Sequence, residues 1–379
     1  MSLPGDTATR RRATFHALEV SEVRPLTDDA IEVAFAVPPQ LADAYSYAPG
    51  QYVALRTTLD GDQLRRSYSI CQAPQPVAHE KGQPGVLKVA IKRELGGVFS
   101  TWALAELAPG MTLDVMSPEG RFTPHVRTDR PARYVGVAAG SGITPMMAVI
   151  AHTLSERPDD TFDLVYSNRT AMDAMFVDEL ADLKDRWTAR LGIHHVLTRE
   201  RRSADLMSGR LDADRLRRIF EDVIGVDGVD EWFLCGPFEL VQTCRDLLSS
   251  LGVDPHAVRY ELFTTDRPER PAGQHGAAVP VVAADEVHRI QFRLDGITST
   301  VTSPVHSRET VLNAALRVRG DVPFACAGGV CGTCRARLVR GEVDMEENYA
   351  LEPDEIAAGF VLTCQSVPMT PEVEVDYDT

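Results

Sequence analysis

Four cysteines near the end of the chain constrain the fold more than any other feature of the sequence. Cys326, Cys331 and Cys334 follow one another as Cys-x4-Cys-x2-Cys, and 29 residues separate Cys334 from Cys364. Three cysteines so close together require a tight loop, and the glycines within it allow the backbone to curl. The fourth thiol must reach the same point from a distant segment. This spacing is typical of a [2Fe–2S] cluster held by four thiolates.

A zinc site or unconnected free thiols would fit the cysteines less well. A zinc ribbon would show two Cys-x2-Cys pairs or nearby histidines, whereas this chain has one such pair and no histidine after His306. Buried free thiols have no reason to fall at this spacing. The remaining cysteines, Cys71, Cys235 and Cys244, are scattered. Because a [2Fe–2S] centre carries one electron at low potential, the rest of the sequence should contain an electron source.

Composition excludes several classes of protein. The 379 residues suggest two to four domains, and 44% apolar residues provide material for real cores. The net charge of −16 argues against a nucleic-acid partner. No apolar run approaches the roughly 18–20 residues of a membrane helix. Arg10, Arg11 and Arg12 are followed by no apolar signal segment, so we expect a cytoplasmic protein without a membrane partner.

The chain divides into three blocks and a linker. Residues 13–127 read as short strands separated by Gly and Pro, which predicts an antiparallel barrel. In 128–263, buried strands alternate with helices, which predicts an α/β domain with a parallel sheet covered on both faces. Residues 264–285 are rich in Pro, Gly and Ala and read as a linker. The cysteine-rich block 286–379 forms the last domain.

Two motifs in the first block are suited to a flavin nucleotide. In Arg66-Ser67-Tyr68-Ser69, an arginine can pair with a phosphate, a tyrosine can cover a flat ring, and a serine can hydrogen-bond a ring nitrogen. Gly96-Gly97-Val98-Phe99-Ser100 opens a helix, a position that binds pyrophosphate. Taken alone, the first motif also fits an ordinary barrel strand and the second a simple capped helix.

Two motifs in the second block are suited to a dinucleotide. Gly140-Ser141-Gly142-Ile143-Thr144-Pro145 follows a hydrophobic strand and opens a helix, although it is not a full Gly-x-Gly-x-x-Gly. Cys235-Gly236-Pro237 also lies between a strand and a helix, where its cysteine can touch a nicotinamide or simply pack.

The order and spacing of the four motifs resemble the ferredoxin–NADP reductase superfamily over about residues 15–263, and the end of the chain resembles plant-type ferredoxins over about 287–379. The resemblance implies an FAD-binding barrel, an NADP-binding α/β domain and an α+β, β-grasp [2Fe–2S] domain. It implies FAD contacts from Arg66, Tyr68, Ser69, Gly97 and Ser100. It implies dinucleotide contacts from Gly140, Gly142, Thr144 and Gly236. Ser69, Cys235 and Phe263 would lie at the reacting part of the flavin.

The choice of nicotinamide cofactor depends on two strand ends. The strand His194–Leu197 is followed by Thr198-Arg199-Glu200, which resembles the Ser-Arg-Glu run that holds the 2′-phosphate in plant-type reductases. Arg169 follows the preceding strand and is a second candidate. These cations favour NADPH as the electron donor, and the alternative is a solvated basic loop.

With the iron–sulfur domain last, the chain resembles reductases that serve oxygenases, above all the reductase subunits of phenylacetyl-CoA 1,2-epoxidases. Further support comes from 347–355, Glu-Asn-Tyr-Ala-Leu-Glu-Pro-Asp-Glu, which leads to Cys364-Gln365. The resemblance implies electron flow from NADPH through FAD and the cluster to a separate di-iron oxygenase. The alternatives are a reductase for a Rieske-type oxygenase, such as a steroid hydroxylase, and a flavin-free iron–sulfur carrier.

Acidic residues collect at the end of the chain. Eleven Asp and Glu residues follow Arg340, and no Lys or Arg does. The simple explanation is a solvated face. The more specific explanation is a docking surface that steers the ferredoxin-like domain toward a basic patch on the oxygenase.

Overall fold

The computed structural model describes residues 14–59, 61–74, 85–125, 130–262, 286–320, 322–324, 328–351 and 353–379. The predicted linker 264–285 lies outside these residues. The described part contains three main sheets, one for each predicted block, and a small two-stranded sheet. Within the described ranges, no helix combines the length and apolar character needed to cross a membrane.

The first sheet is an antiparallel barrel, as predicted. Its strands are β1 (Phe15–Thr27), β2 (Ala30–Val37), β3 (Tyr52–Leu59), β4 (Asp62–Ser69), β5 (Gly85–Lys92) and β6 (Thr112–Met116), and helix α1 spans Val98–Glu106. The strand order is β4-β3-β6-β1-β2-β5, and an antiparallel bridge between Ile70 and Val89 joins the two ends. The sequence of β2 has the alternating pattern of a strand with one solvated face, but the strand is buried along almost its whole length. The reason is that Ala30 on β2 and Ala90 on β5 pack into the core of the second block.

The second sheet is entirely parallel, with the order β11-β10-β7-β8-β9. Its strands are β7 (Arg133–Ala139), β8 (Thr161–Asn168), β9 (Leu191–Leu197), β10 (Glu231–Gly236) and β11 (Val258–Leu262). Its helices are α2 (Ile143–Glu156), α3 (Val177–Arg186), α4 (Ala213–Arg218), which continues as a π-helical turn over Ile219–Ile224, and α5 (Phe238–Ser250). The strand order reverses at β7, so the crevice between β7 and β10 is the switch point where open α/β sheets bind ligands.

The third sheet is mixed, with the order β13-β12-β18-β14-β16; β12 and β18 are parallel and the other pairs antiparallel. Its strands are β12 (Val287–Leu294), β13 (Ile297–Pro304), β14 (Arg335–Arg340), β16 (Phe360–Leu362) and β18 (Glu372–Asp376). The two-stranded sheet pairs β15 (Val343–Met345) with β17 (Ser366–Pro368), and the helices are α6 (Val311–Leu316) and α7 (Pro353–Ala357). This arrangement confirms the predicted α+β class.

Local sequence explains these elements. Along β12, buried and more exposed residues alternate, so that Ile290, Phe292 and Leu294 face the core. Thr310 begins α6 by accepting a hydrogen bond from the backbone of Asn313.

Candidate functional site

The predicted flavin motif lies on β4. The guanidinium of Arg66 donates a hydrogen bond of 2.7 Å to the carbonyl oxygen of Arg65. The half-buried ring of Tyr68 lies 5.8 Å from that of Phe99, on α1. Because side chains alternate along a strand, Arg66 and Tyr68 share one face of β4, and Arg65 and Ser69 lie on the other.

The predicted pyrophosphate turn begins α1. The buried hydroxyl of Ser100 accepts a hydrogen bond of 3.0 Å from the backbone N–H of Glu94, which closes the turn. A β-carbon added at Gly97 would lie 2.7 Å from the Ser100 hydroxyl, so the turn requires glycine. Its backbone N–H groups lie at the positive end of the helix, and this cradle fits the diphosphate of FAD.

The two predicted dinucleotide turns meet at the crevice between β7 and β10. A β-carbon at Gly142 would lie 2.1 Å from the carbonyl oxygen of Cys235, so the two loops pack backbone against backbone. Gly140 has φ +53°, and its missing side chain would point into open space. The buried hydroxyl of Thr144 donates to the Ser141 carbonyl oxygen at 2.9 Å. Gly236, at the end of β10, is the third glycine beside the N-terminus of α2.

Glu261 is a residue that the sequence reasoning missed. Its carboxylate accepts a hydrogen bond of 3.0 Å from Ser69, and on the sheet it is the register partner of Cys235. The structure therefore brings Ser69 and Cys235 together through Glu261. Burial raises the pKa of Glu261 to about 8 and keeps the pKa of the fully buried Cys235 thiol well above its ordinary value. The one available sequence signal was a carboxylate within the strand Tyr260-Glu261-Leu262. Phe263, predicted to lie beside the flavin, falls outside the described residues.

The predicted 2′-phosphate residues are brought together at the carboxyl ends of β8 and β9. The backbone N–H of Arg199 donates to the carbonyl oxygen of Arg169 at 2.8 Å, and that of Thr198 donates to Asn168 at 2.9 Å. Arg199 is exposed. The half-exposed guanidinium of Arg169 pairs with Asp173 at 2.6 Å and contacts Asp29 of the barrel at 3.4 Å. Of the two arginines, Arg199 is therefore the more accessible to a phosphate.

Three of the four predicted cluster ligands are described, and Cys326 lies outside the described residues. Of Cys331, Cys334 and Cys364, the last two are buried. Thr363 donates its backbone N–H and its hydroxyl to the Cys334 carbonyl oxygen at 3.2 and 2.9 Å, which brings Cys364 beside the cluster loop. The described residues alone contain no group of three metal-ligating side chains. The fit to a [2Fe–2S] cluster therefore rests on the donor set of soft thiols on a glycine-curled loop and an adjacent turn.

A cavity of about 590 Å³ is lined by residues of all three blocks. The barrel contributes Tyr52 and residues 119–122, the edge of the parallel sheet contributes residues 259–261, and the last block contributes residues 330–333 of the cluster loop. Glu261 and Cys331 both line this cavity. The cluster loop thus faces the same cavity as Glu261, which accepts a hydrogen bond from Ser69 of the predicted flavin motif.

Three family models match the chain, one for each block. They are an oxidoreductase FAD-binding domain at residues 17–123, an oxidoreductase NAD-binding domain at 137–246 and a 2Fe-2S iron-sulfur cluster binding domain at 292–369. The matched ranges contain the predicted FAD turn, both predicted dinucleotide turns and all four predicted cluster cysteines, respectively.

Relatives match along nearly the whole chain. A subunit of the 1,2-phenylacetyl-CoA epoxidase of Escherichia coli (strain K12) is 41% identical over 96% of this chain and 98% of its own length. The ferredoxin reductase component of the 3-ketosteroid-9-alpha-monooxygenase of Rhodococcus rhodochrous is 31% identical over 95% and 96%. In fold, the chain is similar to phthalate dioxygenase reductase, with a TM-score of 0.57 and 22% identity over 96% of this chain and 98% of that one.

Proposed function

The chain belongs to the family of oxygenase reductases that join FAD-binding, NAD-binding and 2Fe-2S domains, and from that premise we propose that it supplies electrons from NADPH to a di-iron phenylacetyl-CoA epoxidase. The chain is an oxidoreductase that uses FAD, a [2Fe–2S] cluster and NAD(P)H. The observation that carries the choice of partner is 41% identity over 96% of the chain to a component of such an epoxidase. We also propose a cytoplasmic location, where NADPH is available.

The proposed residue roles follow the geometry of the turns. When bound, the flavin accepts a hydride and the cluster carries single electrons. Arg66, Gly97 and the turn closed by Ser100 bind the FAD diphosphate, and Tyr68 covers a ring. Cys326, Cys331, Cys334 and Cys364 hold the cluster. The three main sheets support the domain boundaries 13–127, 128–263 and 286–379, with 264–285 as the linker.

The proposed nicotinamide site lies where the two glycine turns meet. Gly140, Gly142, Thr144 and Gly236 form its backbone floor. Ser69 lies on β4 of the barrel and Cys235 on β10 of the parallel sheet, and Glu261 on β11 connects them. Phe263 is the proposed aromatic neighbour of the flavin. Burial raises the pKa of Glu261 to about 8, which favours the neutral form of its carboxyl beside Ser69.

The preference for NADPH depends on the cations at the other end of the dinucleotide. Arg169, Thr198 and Arg199 lie together at the ends of β8 and β9. A 2′-phosphate placed there would accept hydrogen bonds from the exposed Arg199 and from the Thr198 hydroxyl.

The direct test reconstitutes the complete electron-transfer chain. The purified holoprotein should show flavin bands and a broad iron–sulfur shoulder, both bleached by NADPH. Mixed with the oxygenase components of a phenylacetyl-CoA epoxidase, it should support NADPH oxidation that depends on phenylacetyl-CoA. A spectrum lacking either chromophore would contradict the cofactor assignment. If both bands bleach normally but NADPH oxidation with the epoxidase does not depend on phenylacetyl-CoA, only the assignment of the partner would be contradicted.

The second candidate is a reductase for a Rieske-type steroid oxygenase, which the 31% identity to the 3-ketosteroid-9-alpha-monooxygenase component favours. The same preparation, mixed with that oxygenase and its steroid substrate, distinguishes the two. A faster coupled rate with the steroid oxygenase would reverse the assignment.

The acidic end of the chain is a proposed docking surface for the oxygenase. Glu342, Asp344 and Glu346 are exposed, but Arg308 lies within 3.6 Å of the last two carboxylates and neutralises part of their charge. Salt should slow the oxygenase-coupled rate and leave flavin reduction by NADPH unchanged. If the coupled rate does not depend on salt concentration, the docking role is contradicted and the acidic residues are simply a solvated face.

A further inference from the structure

Tyr52 joins the flavin-binding barrel directly to the cluster loop. Its phenol oxygen lies 2.6 Å from the Cys331 carbonyl oxygen and 2.7 Å from the Thr333 hydroxyl. On the barrel, Tyr52 is the register partner of Ser69, so the two side chains leave the same face of the β3–β4 pair. The proposed flavin contact and the cluster-loop contact are therefore adjacent on one rigid hairpin.

Hydrogen-bond donors fix the direction of these contacts. A carbonyl oxygen only accepts, so the single proton of the Tyr52 phenol must lie between Tyr52 and Cys331. The Thr333 hydroxyl then donates to the Tyr52 oxygen. One phenol thus fixes a cluster ligand and a residue two positions further along the loop.

Arg65 makes a second connection, to the segment just before the cluster loop. Its guanidinium donates to the carbonyl oxygens of Gly320, Val322 and Phe324 at 3.1 to 3.4 Å. It also lies 4.4 Å from the ring centre of Phe324. Arg65 is only 4% exposed although it is charged. Burying a cation is costly unless its donors are satisfied, and here carbonyl groups of the last block accept hydrogen bonds from both terminal nitrogens of the guanidinium.

We propose that Tyr52 and Arg65 are positioning residues that hold the cluster loop against the flavin-binding hairpin, so that electrons pass from flavin to cluster within one docked chain. This inference rests on the proposed function for its purpose. The docking itself is a property of the polypeptide and can be measured without turnover. Arg65 and Arg66 are consecutive on β4, so the strand that binds the flavin also binds the loop that carries the cluster.

Hydrogen–deuterium exchange of the oxidised holoprotein tests the docking. In Tyr52→Phe, peptides covering 322–324 and 328–334 should exchange about fivefold faster, the factor expected for one ordinary hydrogen bond. Arg65→Met should have a larger effect, and Arg65→Lys, which keeps the charge, covers the case in which Arg65→Met does not fold. Unchanged exchange in Tyr52→Phe and in the folded Arg65 variant would overturn the proposal.

Two matched controls lie in the same barrel. Tyr45 donates its hydroxyl to the Val115 carbonyl oxygen at 2.7 Å, within the barrel. Arg56, the register partner of Arg65, pairs with Asp114 at 2.8 Å. Tyr45→Phe and Arg56→Met should leave exchange of the cluster loop unchanged. If they accelerate it as much as the Tyr52 and Arg65 variants do, general loosening of the barrel explains the effect and the proposal fails.

Rapid-mixing absorbance separates this inference from the proposed function. In Tyr52→Phe, bleaching of the flavin band by NADPH should keep its wild-type rate, whereas bleaching of the cluster shoulder should slow several-fold. Equal slowing of both bands, or of neither, would contradict the positioning role. Absence of NADPH-dependent bleaching in the wild-type protein would instead contradict the proposed function, and the exchange result would stand.

Discussion

Glu261 makes the stability of the protein depend on pH in a direction unusual for a carboxylate. Burial raises the pKa of Glu261 in the folded chain from 4.5 to about 8. Between these values the folded chain binds more protons than the unfolded chain. The free energy of unfolding therefore falls as pH rises from 4.5 through 8. Glu261→Gln removes the titrating group and keeps an amide beside Ser69, so this part of the pH dependence should disappear.

The magnitude follows from the pKa shift. Between pH 6 and pH 8 the folded-state proton of Glu261 is progressively lost, while the unfolded carboxyl is already ionised. The linkage relation then predicts that the free energy of unfolding falls by roughly 2 kcal/mol over this interval. Glu261 retains partial contact with solvent at the interdomain cavity, so this figure is an upper value.

Urea unfolding at pH 6 and pH 8 measures the effect. Trp232, fully buried on the strand next to Glu261, contributes a fluorescence signal from this sheet. From pH 6 to pH 8, the free energy of unfolding of the wild type should fall by up to roughly 2 kcal/mol more than that of Glu261→Gln. Glu239→Gln, which changes an exposed carboxylate on α5, is the matched control and should behave as wild type does. Identical pH dependence in wild type and Glu261→Gln would refute the reasoning.

Three further substitutions test the separate sites. Gly142→Ala places a β-carbon 2.1 Å from the Cys235 carbonyl oxygen and should lower stability by roughly 2 kcal/mol, with weaker binding of NADP⁺ by calorimetry. Cys364→Ser should lose iron and the broad visible shoulder but keep FAD fluorescence, whereas Cys244→Ser, at a buried cysteine on α5, should retain iron by metal analysis. Arg199→Ala should raise KM for NADPH about tenfold or more and leave KM for NADH nearly unchanged, because a charged hydrogen bond to phosphate is lost. If the preference for NADPH over NADH is unchanged, Arg199 does not bind the 2′-phosphate.

Much of the fold was predictable because each block has its own local pattern. The strand at 134–138, the glycine turn after it and the helix that follows were read from apolar runs and turn residues, and the structure has β7 and α2 there. The burial of β2 was not predictable in the same way. Its alternating sequence indicates one solvated face, but the second block covers that face around Ala30. Contacts between domains leave no periodic signal in either partner.

The same limit explains which site residues were missed. Spacing predicted the cluster cysteines, and glycine turns predicted the nucleotide entrances, because such sites are built from consecutive residues. Glu261, Tyr52 and Arg65 act on partners nearly 200 residues or more away in sequence. Nothing in their immediate neighbourhood distinguishes them from ordinary strand residues. The stretch 347–355 supported a family resemblance without a physical reason. The structure supplies one, since Tyr349 packs its ring 5.4 Å from that of Phe238 on the nucleotide domain.

The register of one hairpin links the flavin site to the cluster loop. β3 and β4 are paired from Tyr52 and Ser69 to Leu59 and Asp62, so two residues connect the strands. The second of these, Gly61, has φ +89°, a conformation that side-chain-bearing residues rarely adopt. A shift of one residue would move every side chain of β4 to the opposite face. Arg65 would leave the cluster segment at the same moment as Arg66 and Tyr68 left the proposed flavin site. A short turn with one obligatory glycine therefore sets both contacts together.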